Sequence, residues 1–492
     1  MRRRSNWIIV GAVACALVAS ACGSSGTNSA VGPTFQVGSG DLAGTRAASG
    51  SSLRAGNVSQ LKVHWRLRLR GVPTSAGIFA STPVIKGNTV YVEDLDSTVF
   101  ALNRATGAVR WITHFLELNG GPNGLAVSGG RVYGATAEEA FALSATTGRK
   151  LWQHHLTSRS QQLVNVAPVP WKGFVFLGTI GYEPFGRGTI YALDARTGAI
   201  RWQFDTIKHP WPHPLQSGGG GIWYPVSVDE HGRLYAGNSN PGPWGGSRRF
   251  PNGSAFPGPA LYTDSLLVLD ARTGRLEWYD QVTPHDVRDY DFQATPMLVT
   301  ANGSRLVIGG GKGGHVIAWN RDTRKRVWET TVGLHRNDTG PLPRRRVTVC
   351  PGLYGGVETP MAYASGRVFV PVVDLCGWGS ATTSESVTSI QPDRGRGELV
   401  AIDAASGRVL WDRHLASADF GCATAVSDVV FTSTYAGVVY AFAAGNGRLL
   451  WHARMPARIN ACPAIDGNQL LIGAGVPRAH GSGPALVAYG LP

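Results

Sequence analysis

A twelve-residue pattern, seen at Tyr191–Trp202 as Y-A-L-D-A-R-T-G-A-I-R-W, returns along almost the whole chain. Its near-copies end at Trp111, Trp152, Trp278, Trp328, Trp411 and Trp451. In each, alternating apolar residues run into a polar turn, usually with glycine where a positive φ is needed, and a second short strand closes on tryptophan. That is an antiparallel hairpin. Asp194, Thr197 and Gly198 are turn residues, and Trp202 is a wedge that buries on the order of 200 Å² between neighbouring sheets. Repetition at a minimum spacing of about 40 residues, with four short strands per unit, selects a β-propeller over a sandwich.

The two ends of the chain each carry half a repeat. N-V-S-Q-L-K-V-H-W brings an eighth tryptophan, Trp65, without its partner strand, and A-L-V-A-Y at residues 485–489 is a repeat-type strand with no tryptophan after it. Pairing the two gives an all-β, eight-bladed β-propeller of four-stranded blades, closed by its N- and C-terminal strands and free of sheet edges. A chain of 492 residues that is 43% hydrophobic, with 65 glycines and 15 tryptophans, suits one large turn-rich domain, because repeats override the length prior of about three domains.

Upstream of the repeats, Met1–Arg4 is basic, Trp7–Ala19 is largely apolar, and Ser20-Ala21-Cys22 presents small residues before a cysteine. This reads as a signal peptide over residues 1–22, too short to span a bilayer as a permanent helix of about 20 residues. G-S-S-G-T-N-S-A then resembles a bacterial lipoprotein tether, placing a lipid on Cys22, a tether over 23–40 and the propeller over 41–492. The expected location is the outer face of the cell membrane, with plain secretion as the alternative. A formal charge of +14 raises nucleic acid as a partner, but outside Arg2-Arg3-Arg4 of the leader the arginines are scattered through turns and only Arg344-Arg345-Arg346 forms an arginine run, so nucleic-acid binding is not expected. Cys350, Cys376, Cys422 and Cys462 form an even set outside the leader and Cys22, which implies disulfides in an exported chain. Cys350 and Cys376 bracket one strand-turn-strand segment, while Cys422 and Cys462 precede equivalent inner strands, so the expected pairs are Cys350–Cys376 and Cys422–Cys462.

Two intervals between tryptophans are stretched, Trp202 to Trp278 and Trp328 to Trp411, and insertions of this kind carry sites. They hold, with their surroundings, G-Y-E-P-F-G-R-G at 181–188, I-W-Y-P-V-S-V-D at 222–229, G-N-S-N-P-G-P-W at 237–244, T-P-H-D-V-R-D-Y-D at 283–291 and G-G-G-K-G-G at 309–314. In order and spacing these segments resemble the quinoprotein alcohol dehydrogenases, eight-bladed propellers that hold pyrroloquinoline quinone (PQQ) and a metal ion near the axis. D-L-A-G-T-R-A-A at 41–48 looks like the N-terminal segment of the polyvinyl-alcohol-dehydrogenase branch. The resemblance implies Glu183 and Asn240 as metal ligands, Trp223 as the residue stacked on the quinone, Asp289 as catalytic base and ligand, and Lys312 as the cation at the cofactor carbonyls. An acid at Asp291 resembles the lanthanide-using branch, so the implied metal is Ca²⁺ or a lanthanide.

The residue types suit that chemistry. Glu183, Asn240 and Asp289 supply the oxygens a hard cation needs, and Asp289 as carboxylate can accept an alcohol proton. The implied activity is oxidation of a small or polymeric alcohol. No C-x-x-C-H haem motif occurs, so the electron acceptor is expected to be a separate molecule. The chain also departs from the family. Ala80 and Asn123 stand where members often have glutamate and arginine contacts, no Cys-Cys dipeptide occurs, and Glu358 lacks its usual neighbouring tryptophan. These losses keep a second reading open, a non-catalytic propeller lipoprotein that acts as a binding or assembly scaffold in the envelope.

Overall fold

Each repeat hairpin becomes the outer half of a four-stranded antiparallel sheet. A computed structural model of the chain describes residues 35–67, 79–119, 121–157, 162–181, 186–208, 218–253, 260–475 and 483–492. The leader, Cys22 and Glu183 lie outside the described residues. The described part is an all-β propeller with seven four-stranded sheets and one of five strands, and its few helices are single 3₁₀ turns. Among the described residues no helix is long and apolar enough to cross a membrane. The alternation seen in the sequence has a direct structural meaning. Third strands such as Glu139–Ser144 are buried on both faces by the sheets to either side, whereas fourth strands such as Lys150–His155 expose most positions but keep the tryptophan in.

The tryptophans link successive sheets. Trp111 Nε1 donates to Ala145 O, Trp152 to Ala195 O, Trp202 to Ala271 O, Trp328 to Ala404 O and Trp411 to Ala444 O, all at 3.0–3.2 Å. Each acceptor lies in the turn of the following sheet. The turn glycine is needed twice over: Gly198 has φ +77, and a Cβ there would sit 2.6 Å from the Trp152 ring. In the one copy without glycine, Arg324 adopts φ 62 at that position.

The two chain ends meet as the half-repeats require. Lys62–Leu67 pairs antiparallel with Ala485–Gly490, Val63 facing Tyr489 and Trp65 facing Ala488. Trp65 Nε1 then donates to Arg104 O at 2.8 Å and its ring packs on Gly107 of the first sheet. Removing residues 57–67 is expected to leave the Ala485–Gly490 edge bare and cause concentration-dependent aggregation, readable by light scattering. A soluble monomer with unchanged melting would rule this out.

The sequence places a tether over residues 23–40, but from residue 35 onward the chain is packed against the sheets rather than tether-like. Phe35, Val37 and Ser39 are buried, and the chain from 35 to 46 runs as a strap along the first strands of successive sheets. Ile85, Val127, Val228, Leu298, Tyr363 and Ala425 each donate a backbone N–H to it, at Phe35, Gln36, Leu42, Ala43, Thr45 and Arg46 in turn, at 2.7–3.0 Å. The strap occupies a sheet edge that would otherwise present unpaired donors. Cys350–Cys376 and Cys422–Cys462 are disulfides with Cα separations of 4.5 and 5.0 Å. The first ties Val347–Val349 to Gly377–Ser380 in a small extra sheet inside the longer insertion.

Candidate active site

The segment from Asp286 to Phe292 is pinned residue by residue. Asp286 accepts Arg288 N and Tyr290 N through its two oxygens, both at 2.7 Å, and closes a turn. That turn sets Asp289 at φ 67, a backbone region that aspartate tolerates better than most side chains. Arg288 donates to the carbonyls of Asn337, Thr339 and Gly340, and the Tyr290 hydroxyl to Pro351 O. Asp289 and Asp291 are thereby left to Lys312, whose ammonium lies 2.8 Å from Asp289 Oδ2 and 2.7 Å from Asp291 Oδ2.

Asn240 joins the cluster through its backbone, which donates to Asp291 Oδ1 at 2.8 Å. The run G-G-G-K-G-G exists for close approach: a Cβ on Gly311 would lie 2.1 Å from Asp291 O, the carbonyl that accepts Lys312 N. The Trp223 segment is tied in by Gly220 N to Asn240 O and by Ser239 N to Gly221 O, and Trp223 itself is half-buried. The structure thus gathers Asn240, Asp289, Asp291 and Lys312. Both members of the Asp291–Lys312 pair are buried, Asp291 at 1% exposure and Lys312 at 6%.

Acids outnumber cations here. Asp264 and Glu358 are buried near the same lysine, and Asp286 is buried near Asp291. Among the described residues neither carboxylate oxygen of Asp264 has a hydrogen-bond partner, nor does Glu358 Oε1, whereas Glu358 Oε2 accepts from Gln293 at 2.8 Å. Burial raises Asp289 well above the usual carboxylate range against the pull of Lys312, and it raises Asp286 to about 6. Burial works against the charged Lys312, but Asp289 and Asp291 outweigh it and hold the ammonium protonated. Buried carboxylates without donors fit a hard cation, for which several oxygen ligands are the requirement. Lys312 fits a group that carries carbonyl oxygens.

Asp264 and Asp286 were not legible as site residues. An aspartate two before an arginine, D-V-R-D, is the local signal that exposes Asp286 as a turn former; Asp264, in T-D-S at the start of a strand, carries no such signal. Ala80 and Asn123 line a small cavity with Tyr224 and Arg46, and Asn123 donates to Asp94 O while its own oxygen is unpartnered.

Glu358 supplies a pH-dependent prediction. Burial, opposed by Lys312, lifts its carboxyl from 4.5 to about 7, so the folded state keeps a proton that the unfolded chain releases, and stability falls as pH rises through that window. In metal-free protein, Glu358→Gln should match the parent near pH 4.5 and exceed it at pH 8 by on the order of 2 kcal/mol in urea unfolding. Equal stabilities at pH 8 would count against a buried, strained carboxylate.

The profile of the family described as glucose/ethanol/alcohol dehydrogenase, beta-propeller domain, matches residues 180–334, which contain this cluster. That of outer membrane protein assembly factor BamB matches residues 49–210 and 395–476, repeats outside it. The chain is 26% identical over 518 aligned residues to a quinohemoprotein alcohol dehydrogenase from Comamonas testosteroni, covering 89% of this chain and 71% of that one. In sequence and fold the chain is similar to the PQQ-dependent alcohol dehydrogenase-like propellers. It is also 24% identical to a polyvinylalcohol dehydrogenase from Sphingopyxis sp. strain 113P3, covering 81% of this chain and 64% of that one. The crystal structure of the Comamonas protein superposes with a TM-score of 0.81 at 22% identity, covering 94% of this chain and 81% of that one. A europium-containing methanol dehydrogenase superposes at 0.76 with 18% identity, covering 93% and 98%.

Proposed function

We propose that this chain is an exported, PQQ-dependent alcohol dehydrogenase whose general base is Asp289. The observation that carries the reading is the buried Lys312 held between Asp289 and Asp291 among carboxylates that lack donors, inside the segment matched by the dehydrogenase profile. A structural repeat has no use for such a cluster, because buried charge is costly unless another charge offsets it. That weighs against the envelope-scaffold reading.

Glu183, Asn240, Asp289 and Asp291 would hold Ca²⁺ or a lanthanide; a europium-containing methanol dehydrogenase among the structural neighbours supports keeping both metals in view. Bound PQQ supplies a two-electron acceptor for the hydride of the alcohol C–H bond. The chain supplies the rest. Asp289 takes the hydroxyl proton on a carboxylate oxygen, leaving a carbonyl product, and Lys312 fixes that carboxylate and presents a positive charge where negative charge develops. Trp223 gives a flat cofactor its platform. Electrons then pass to a separate acceptor.

We further infer that the eight sheets close into one ring of eight blades, supported by the Lys62–Leu67 pairing, by Trp65 on Gly107 and by contacts of Val84–Lys86 with both Ala126–Ser128 and Ala464–Asp466. Export with a lipid on Cys22 is proposed from the leader alone. The test of function is addition of PQQ with Ca²⁺ or La³⁺ to the purified protein. A shifted quinone absorbance and a raised melting temperature are expected, since a ligand held only by the folded state stabilises it. If neither metal moves either readout, the scaffold reading replaces this one.

A further inference from the structure

The longer insertion builds a pocket beside the cluster that the proposed chemistry does not use. It has a volume of about 380 Å³ and is lined in part by Tyr354, Leu353, Trp378, Ile390, Arg346 and Arg394. That size is within the usual range for small-molecule sites, roughly 300–1,000 Å³. Tyr354 connects it to the candidate active site, because its ring centre lies 6.0 Å from the Lys312 ammonium. One wall is fixed by the Cys350–Cys376 disulfide and the paired strands Val347–Val349 and Gly377–Ser380, the second of which carries Trp378.

Charge and shape at the mouth are specific. The Arg346 guanidinium carbon lies 3.8 Å from the centre of the Trp378 ring, a stacked geometry that leaves the in-plane N–H edge for another acceptor. Among the described residues neither Arg346 nor Arg394 has a carboxylate within ion-pairing distance, and Glu385 is the one acid in the lining. Arg344 and Arg345, also exposed, extend the same run. Arg344-Arg345-Arg346 is a run of three consecutive arginines, and Arg346 at its end lines the pocket.

Resting on the proposed function, we infer that this pocket is a substrate subsite for alcohols that carry a carboxylate on an aromatic or aliphatic body. The body packs on Trp378, Leu353 and Tyr354, the carboxylate meets Arg346 and Arg394, and the hydroxyl faces Asp289. A planar guanidinium pairs with a carboxylate through two parallel hydrogen bonds, which a neutral alcohol cannot make.

The test compares 4-(hydroxymethyl)benzoate with benzyl alcohol on the protein loaded with PQQ and metal at low ionic strength. The acid should be preferred about tenfold in kcat/KM, through KM, and the preference should shrink with added salt and collapse in Arg346→Gln and in Arg394→Gln while benzyl alcohol kinetics stay unchanged. Oxidation of benzyl alcohol with no preference for the acid overturns the subsite and leaves the proposed function standing. If neither alcohol is oxidised, the function fails, and calorimetry with 4-(hydroxymethyl)benzoate then decides the pocket by itself. Binding to the parent but not to Arg346→Gln supports it, and no binding to either overturns it.

Discussion

Asp289→Asn should reduce PQQ-dependent alcohol oxidation by about a thousandfold, the middle of the range for removing a general base. The substitution keeps the volume and one oxygen, so Lys312 can still donate to residue 289 across the present 2.8 Å contact, and metal affinity should fall only modestly. What it removes is the site that takes the substrate proton. Folding should be little affected, because the turn is closed by Asp286 and by the anchors of Arg288 and Tyr290, none of which uses the Asp289 side chain. The measurement is kcat at saturating PQQ and metal, alongside a thermal melt of the metal-free protein. Activity within tenfold of the parent, with the melt unchanged, would remove Asp289 from the role of base.

What could be read from the sequence follows from what is local. A hairpin with a glycine turn and a terminal tryptophan is encoded within twelve residues, so Tyr191–Trp202 and its copies disclose both the sheets and their packing, and the half-repeats disclose that the Trp65 strand pairs with the strand at 485–489. Cys422 and Cys462 were placeable because each precedes the first strand of a repeat, and equivalent positions of adjacent sheets lie close together. Asp264 was not placeable: its burial beside Asp289 and Asp291 comes from three distant segments meeting, and nothing in T-D-S marks it. The same holds for the strap. Residues 35–40, F-Q-V-G-S-G, end in the glycine and serine of a linker, and their order comes from the burial of Phe35 and Val37 and from backbone donors on sheets far away in sequence, which composition does not register.

Arg46 is where that strap is most exposed to mutation. The side chain is 1% exposed, and its guanidinium donates to Gly38 O, Ala423 O, Thr424 Oγ1 and Pro463 O at 2.7–2.8 Å, joining the strap to itself and to the last two sheets. Among the described residues no acid pairs with it directly; burial draws its pKa down to about 9, so at neutral pH the charge remains and is balanced by carbonyl dipoles. In Arg46→Ala, Pro463 O keeps the Thr424 hydroxyl as donor, but Gly38 O and Ala423 O lose theirs in a dry environment. At roughly 1–3 kcal/mol for each orphaned acceptor, plus a cavity the size of the missing side chain, the loss should be about 4 kcal/mol or more in urea unfolding. Arg46→Lys should recover only part of it, since one ammonium cannot reach acceptors arranged around a planar fork. A loss below about 1 kcal/mol for Arg46→Ala would mean that the backbone bonds at Phe35, Leu42 and Thr45 hold the strap without it.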